Sequence, residues 1–214
     1  MKALYGEDLA SYLEDEAAAA GTVDDVIKTM EQRAATDNFP IVGRSVGRLL
    51  ELQARAIGAQ RVMEMGSGFG YSAYWFARAV GPEGSVVCTD LEEENATAAE
   101  EYLTAAGVWP RITFRVGDAL NALISEDGNF DIIYNDVDKI DYPECWRSAA
   151  ERIRIGGLYI CDNVLWSGKV ADASADDEAT TAIREHNRLV ATDPRYFTAI
   201  APLRDGVMIA LRTT

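Results

Sequence analysis

The chain has 214 residues, 48% of them hydrophobic, and sets 35 acidic side chains against 20 basic ones for a formal charge of −15. That is enough apolar material for one substantial core, while so acidic a field repels phosphate backbones and sets nucleic acid aside as a partner. No window approaches the roughly 18 uninterrupted apolar residues of a membrane span, and the opening MKALYGEDLASYLEDE lacks the basic-then-apolar layout of a signal peptide, so a cytoplasmic location without a membrane partner is expected.

The first fifty-odd residues carry helical spacing and no convincing strand: Leu4, Leu9, Tyr12 and Leu13, then Val23, Val26, Ile27 and Met30, then Val46, Leu49, Leu50 and Leu52. They read as three helices, with the loop TDNFPIVG between the second and third and Ser45 as a candidate cap for the third. From Arg61 short apolar runs alternate with amphipathic stretches: RVMEM, SVVCTD, ITFRV, DIIYND and GLYICD are strands, each followed by a helix or polar loop. Such alternation implies parallel strands joined by right-handed crossovers. YFTAIAPL and GVMIALR, separated by a short turn, read as an antiparallel hairpin at the edge. The expected fold is therefore α/β, a Rossmann-like doubly wound, mostly parallel seven-stranded sheet with a C-terminal antiparallel hairpin. No linker-like stretch interrupts it, so one domain over 1–214 is expected, with 1–57 as an N-terminal helical cap and 58–214 as the core. Cys88, Cys145 and Cys161 are odd in number and widely spaced, which suggests neither disulfides nor a zinc site.

MEMGSGFGYS follows the first strand and leads into a helix. Gly66, Gly68 and Gly70 allow positive φ and close approach of a ligand to the backbone, and the helix start at Ser72 offers N–H groups to an anion. Glycine turns without a ligand also occur here, and the GxGxG spacing departs from the dinucleotide fingerprint. The next strand ends at Asp90, where a carboxylate can take the hydroxyls of a ribose, which points to a nucleoside-containing cofactor. Glu64, just before the glycines, would repel a diphosphate and suit a cationic cofactor. Asp118 could meet an adenine amino group, or simply cap the helix ALNALI.

The fourth strand ends at Asn135 and Asp136, the fifth at Asp162 and Asn163. Neighbouring parallel strands of such a sheet open their carboxyl ends on one crevice. Asp136, Asp162 and Asn163 together suit a hard divalent cation, Mg²⁺ best and Ca²⁺ or Mn²⁺ next, although acids at strand ends also cap loops without any metal.

Taken together, MGSGFGYS at 65–72, TD at 89–90, GDAL at 117–120, YNDVDKIDYPE at 134–144, CDNVLWSGKVAD at 161–172 and PLRDG at 202–206 resemble the cation-dependent small O-methyltransferases. These are S-adenosylmethionine enzymes that include the catechol and caffeoyl-CoA O-methyltransferases and bacterial relatives, and the likeness runs from about Phe39 to the C-terminus. It implies that Asp136, Asp162 and Asn163 hold the metal and that Lys139 is the catalytic base. It further implies a cofactor site made of Val42, Glu64, Gly66, Ser67, Gly68, Tyr71, Ser72, Asp90, Leu91, Gly117, Asp118, Ala119 and Asp136, with Lys139 and Trp166 meeting the acceptor. Asn135 and Val137 depart from the apolar residue and the alanine usual in relatives.

The resemblance implies methyl transfer to a hydroxylated aromatic small molecule by a homodimer. Lys139 has a plainer reading as an exposed partner of Asp138 or Asp141, Trp166 one as buried packing, and His186 is expected to satisfy a local hydrogen bond. Two other functions stand beside this one. Some relatives methylate a hydroxyl on a tRNA wobble uridine, which the charge of −15 disfavours; a non-catalytic nucleoside-binding module would keep the glycine loop without the metal ligands.

Overall fold

A computed structural model describes residues 6–20 and 24–214; Leu4 and Val23 lie outside the described residues. Five strands run parallel: β1 (Arg61–Met65), β2 (Ser85–Asp90), β3 (Ile112–Val116), β4 (Phe130–Asn135) and β5 (Ile153–Cys161). β6 (Tyr196–Ala201) and β7 (Val207–Arg212) form the expected hairpin, with β7 antiparallel to both β5 and β6. The strand order is β3-β2-β1-β4-β5-β7-β6. The order reverses between β1 and β4, which opens a crevice at their carboxyl ends. Register makes that rim level, because Met65 pairs with both Thr89 and Asn135, and Asn135 with Cys161.

Strand alternation sends side chains to two cores. Ile132, Tyr134, Leu158 and Ile160 face one layer, while Met63, Met65, Ile133 and Tyr159 face the other. The first layer is covered by α3 (Gly43–Ala56), α4 (Tyr71–Ala79) and α5 (Glu93–Ala105), the second by α6 (Ala119–Ser125), α7 (Tyr142–Ala149) and α8 (Glu178–Thr192). α3 lies hard against α4: a Cβ at Gly47 would sit 2.2 Å from the Trp75 indole nitrogen, so only glycine admits this approach. Among the described residues no helix is long and apolar enough to cross a membrane.

The cap differs from expectation in two places. α1 (Glu7–Ala19) leaves Leu9 and Tyr12 exposed and buries only Ala17, so its apolar stripe is not packed on the body. It is attached by polar contacts instead, and Arg48 donates to Ala17 O at 2.6 Å. Ser45 is not the cap of α3 but a residue of its first turn. The orphan amides there are satisfied from another helix, since Glu14 Oε2 accepts from Arg44 N–H at 3.0 Å and Ser45 N–H at 3.1 Å. α2 (Asp25–Asp37) does bury Ile27 and Met30 as its spacing requires. Beyond the cap, β5 starts earlier than GLYICD suggests, because α7 stops at Ala149 and a turn at 150–152 intervenes.

Candidate active site

The glycine loop joins β1 to α4, and the helix begins at Tyr71, one residue before the expected Ser72, with Gly70 as its left-handed cap at φ 88°. Gly66, at φ 83°, would place a Cβ 2.5 Å from the carbonyl oxygen of Asp136. The ends of β1 and β4 therefore touch through backbone, which only glycine allows. The loop is tied to β2: Gly66 N–H donates to Thr89 Oγ1 at 3.1 Å and Gly68 N–H to Asp90 Oδ2 at 2.9 Å. Asp90 Oδ1 also accepts from Glu92 N–H at 3.0 Å and Asn95 Nδ2 at 2.9 Å. With about four acceptor positions on a carboxylate, these three donors leave Asp90 room for about one further hydrogen bond.

Beneath the loop Glu64 is fully buried. Its Oε2 accepts from Ser67 Oγ at 2.8 Å, while Oε1 has no partner. Burial pushes this carboxyl up to about 7, against the hydrogen bonds of Ser67 and Cys88. An orphaned carboxylate oxygen under an open loop is the feature a cationic ligand would satisfy.

Two adjoining cavities open along the rim. One of about 350 Å³ is bordered by Gly66, Asp90, Leu91, Gly117, Asp118, Ala119 and Asp136. Asp118 caps α6 by accepting from Asn121 N–H at 2.8 Å, and it also borders this cavity. The second, about 440 Å³, is bordered by Val42, Ser67, Gly68, Tyr71, Ser72, Asp136, Lys139, Asp162, Asn163 and Trp166. All the expected site residues but Glu64 thus border one cavity or the other, and Glu64 lies underneath.

Lys139 Nζ donates to Asp136 Oδ1 at 2.9 Å and to Val137 O at 3.1 Å. Its side chain is 16% exposed and its partner is Asp136, so it is neither an exposed group nor a mate of Asp138 or Asp141. Asp162 is buried, its Oδ1 has no partner, and its main chain is fixed by Asp162 N–H to Asn135 O at 3.2 Å and Tyr142 hydroxyl to Asp162 O at 3.1 Å. Burial, reinforced by the charge of Asp136, raises the Asp162 carboxyl to about 7. Asp136 is also raised by burial, with Lys139 opposing. Asn163 comes next at φ 57° and is buried.

Trp166 borders the second cavity and packs on the core below it. The Tyr71 ring borders the same cavity, but its hydroxyl turns away and donates to Glu31 at 2.9 Å. Asn135 does not reach either cavity; strand alternation aims it into the sheet interior, where Nδ2 lies 3.4 Å from Cys161 Sγ. Val137 does border the first cavity. His186 is buried on α8 between Tyr159 Oη at 2.9 Å and Asn187 Oδ1 at 3.1 Å, as expected of a structural histidine. The three cysteines are buried and free.

Sequence reasoning missed Phe39, Pro40 and Ile41, which also border the second cavity. The available signal was the apolar run FPIV at 39–42 in a loop between helices, and Phe39 packs on Phe69 of the glycine loop with centroids 4.8 Å apart.

Residues 17–213 match the model of a protein family described as O-methyltransferase. A Mycobacterium marinum protein provisionally named an O-methyltransferase is 32% identical over 200 residues, covering 92% of this chain and 89% of its own. The crystal structure of the Bacillus cereus O-methyltransferase in complex with SAH superposes with a TM-score of 0.86 at 28% identity, covering 96% of this chain and 97% of that one. TomG of Streptomyces achromogenes, an O-methyltransferase of tomaymycin synthesis solved in complex with SAM, gives 0.87 at 28% identity, covering 97% and 96%.

Proposed function

The chain belongs to the O-methyltransferase family, and from that premise we propose that it moves a methyl group from S-adenosylmethionine to a hydroxyl of a catechol-like aromatic small molecule, with divalent-cation dependence and Lys139 as base. The observation that carries this reading is the meeting of Lys139, Asp136, Asp162 and Asn163 on the wall of one cavity that also touches the glycine loop.

The residues fit both absent groups. Glu64 offers its unpartnered Oε1 to a cationic donor, and Leu91, Asp118 and Ala119 frame a cavity suited to a flat base. Among the described residues no group of three or more His, Cys, Asp or Glu could hold a metal, so the donor set would be Asp136, Asp162 with its unpartnered Oδ1, and the Asn163 amide, completed by water as Mg²⁺ prefers. A cation bound there would favour the ionised form of an adjacent phenol, whose ordinary pKa of about 10 keeps it neutral at pH 7.

In this reading the acceptor lies between Trp166 and the Phe39–Ile41 side, with one hydroxyl toward Lys139. Lys139 would take the hydroxyl proton, and S-adenosylmethionine, when bound, would supply the methyl group to the attacking oxygen and leave as the neutral thioether. The products are an aryl methyl ether, a neutral thioether and a protonated Lys139. The aromatic and aliphatic walls support an aromatic acceptor, and the charge of −15 weighs against RNA. The resemblance also supports a homodimer, in which the exposed Leu9, Tyr12 and Phe197 would be covered. A methyl-transfer assay over a panel of catechols and caffeoyl esters, with Mg²⁺ or with chelator, tests the reading; transfer that persists undiminished in chelator would overturn the cation's part in it.

A further inference from the structure

The segment 163–168, which carries Asn163 and Trp166, has an unusual backbone. Asn163, Trp166 and Ser167 stand at φ 57°, 47° and 53°, and Arg204 in the facing hairpin turn stands at 50°. These are four of the five non-glycine residues with positive φ among the described residues. Asparagine tolerates this region, but tryptophan and serine pass through it only when neighbours hold them there.

The neighbours that hold them belong to the turn between β6 and β7. Leu165 N–H donates to Asp205 O at 2.9 Å and Val164 N–H to Gly206 O at 3.1 Å. Ser167 N–H donates to the Asp205 carboxylate. Asp205 is 1% exposed and borders neither cavity. Gly206 admits no side chain, because a Cβ there would lie 2.4 Å from Leu165 Cγ. The same turn also reaches Ile41, another residue bordering that cavity, where Arg204 donates to Ile41 O at 3.2 Å.

We propose that the Asp205 side chain is a positioning group for the acceptor and cation sites: by capturing the amide of Ser167, beside the main-chain bonds of the same turn to Val164 and Leu165, it fixes the left-handed backbone that aims Trp166 and Asn163 into the second cavity. This rests on the assignment of Trp166 to the acceptor and Asn163 to the cation. A residue that touches neither ligand would then set how well both bind.

The test uses the full chain with Asp205→Ala, Asp205→Asn and, as a control on the reading, Asn163→Ala. Four measurements are made: the KM and kcat for the best acceptor of the phenol panel, Mn²⁺ binding by electron paramagnetic resonance, S-adenosylhomocysteine binding by calorimetry, and amide exchange of a peptide covering 163–168. Asp205→Ala is expected to raise the acceptor KM and the Mn²⁺ dissociation constant by about ten-fold, the order set by losing one charge-assisted hydrogen bond. Exchange of the 163–168 peptide should quicken, with S-adenosylhomocysteine binding unmoved. Asp205→Asn keeps an acceptor oxygen for Ser167 N–H and should restore most of the loss. If Asp205→Ala does not fold, Asp205→Ser, whose shorter hydroxyl cannot span to Ser167, replaces it under the same expectations. Parental KM, Mn²⁺ binding and exchange in that variant overturn the proposal, as does Asp205→Asn being equally impaired. Failure of the underlying reading shows separately, as unchanged Mn²⁺ binding in Asn163→Ala.

Discussion

Lys139 Nζ lies 2.9 Å from Asp136 Oδ1, so the candidate base and a candidate cation ligand share one carboxylate. As an ammonium, Lys139 is held by Asp136 and Val137 O. A cation drawing on Asp136 would compete with Lys139 for the same carboxylate. Lys139→Ala should cut turnover by about 10²-fold or more, the usual worth of a general base, and leave S-adenosylhomocysteine binding intact. Lys139→Arg keeps the charge and cannot release it, so it should fail to rescue. Single-turnover kinetics beside calorimetry decide this, and parental turnover in the alanine variant would remove the assignment.

Cation binding should depend on pH with a definite sign. Asp162 holds its proton up to about 7 in the cation-free protein, because burial and Asp136 both oppose its charge. A proton therefore competes with the cation below that pH, and Mn²⁺ affinity should climb as pH rises from 5 toward 7 and level off above. Asp162→Asn should weaken binding and flatten the profile. An affinity equal at pH 5.5 and 8 would contradict the assignment.

Glu64 gives a stability signature. Its carboxyl sits at about 7 in the fold against an ordinary 4.5. Between those values the unfolded chain releases the proton and the folded chain keeps it, so this group's contribution is complete below pH 4.5 and is lost as pH rises through 7. Glu64→Gln should therefore stabilise the cofactor-free protein relative to the parent by about 3 kcal/mol above pH 7 and by almost nothing near pH 4.5. Thermal melts of both proteins across that range read the difference, and the same variant should bind S-adenosylmethionine more weakly. A constant difference in melting temperature across the range would count against the buried acid.

Gly66→Ala meets both a left-handed φ of 83° and the Asp136 carbonyl oxygen 2.5 Å away. Overpacking costs about 1–3 kcal/mol and the left-handed backbone about 1–2 more. Because relief of the clash must part β1 from β4, cofactor affinity should fall together with the melting temperature. A variant with parental S-adenosylhomocysteine binding would show that the strand ends can separate without harm.

The rim of the sheet was legible because short apolar runs ended in glycine or in acids, and parallel pairing then levels Met65, Thr89, Asn135 and Cys161. Gly66, Asp90, Asp136 and Asp162 emerge from that pattern almost without further information. The features that stayed hidden depend on partners distant in sequence. Ser45 has the local chemistry of a cap, yet the capping carboxylate comes from Glu14, 31 residues away. Asp205 looks like an ordinary turn residue, and its target Ser167 is 38 positions earlier. Leu9 and Tyr12 repeat at helical spacing, but nothing in the spacing says whether a stripe meets its own chain or remains outside. Asn135, which from its place beside Asp136 is expected near the site, instead turns toward Cys161 and borders neither cavity.

The carboxylate of Glu14 that closes the first turn of α3 ties remote parts of the chain to one another. α3 starts directly after Val42, and Phe39 through Val42 form a wall of the larger cavity. Trimming the amino end past α1, a common step toward a smaller or more crystallisable protein, would leave two amides bare beside the wall of that cavity. Shortened versions should consequently be judged by how tightly they grip the methyl acceptor, since a normal melting curve alone would hide the damage.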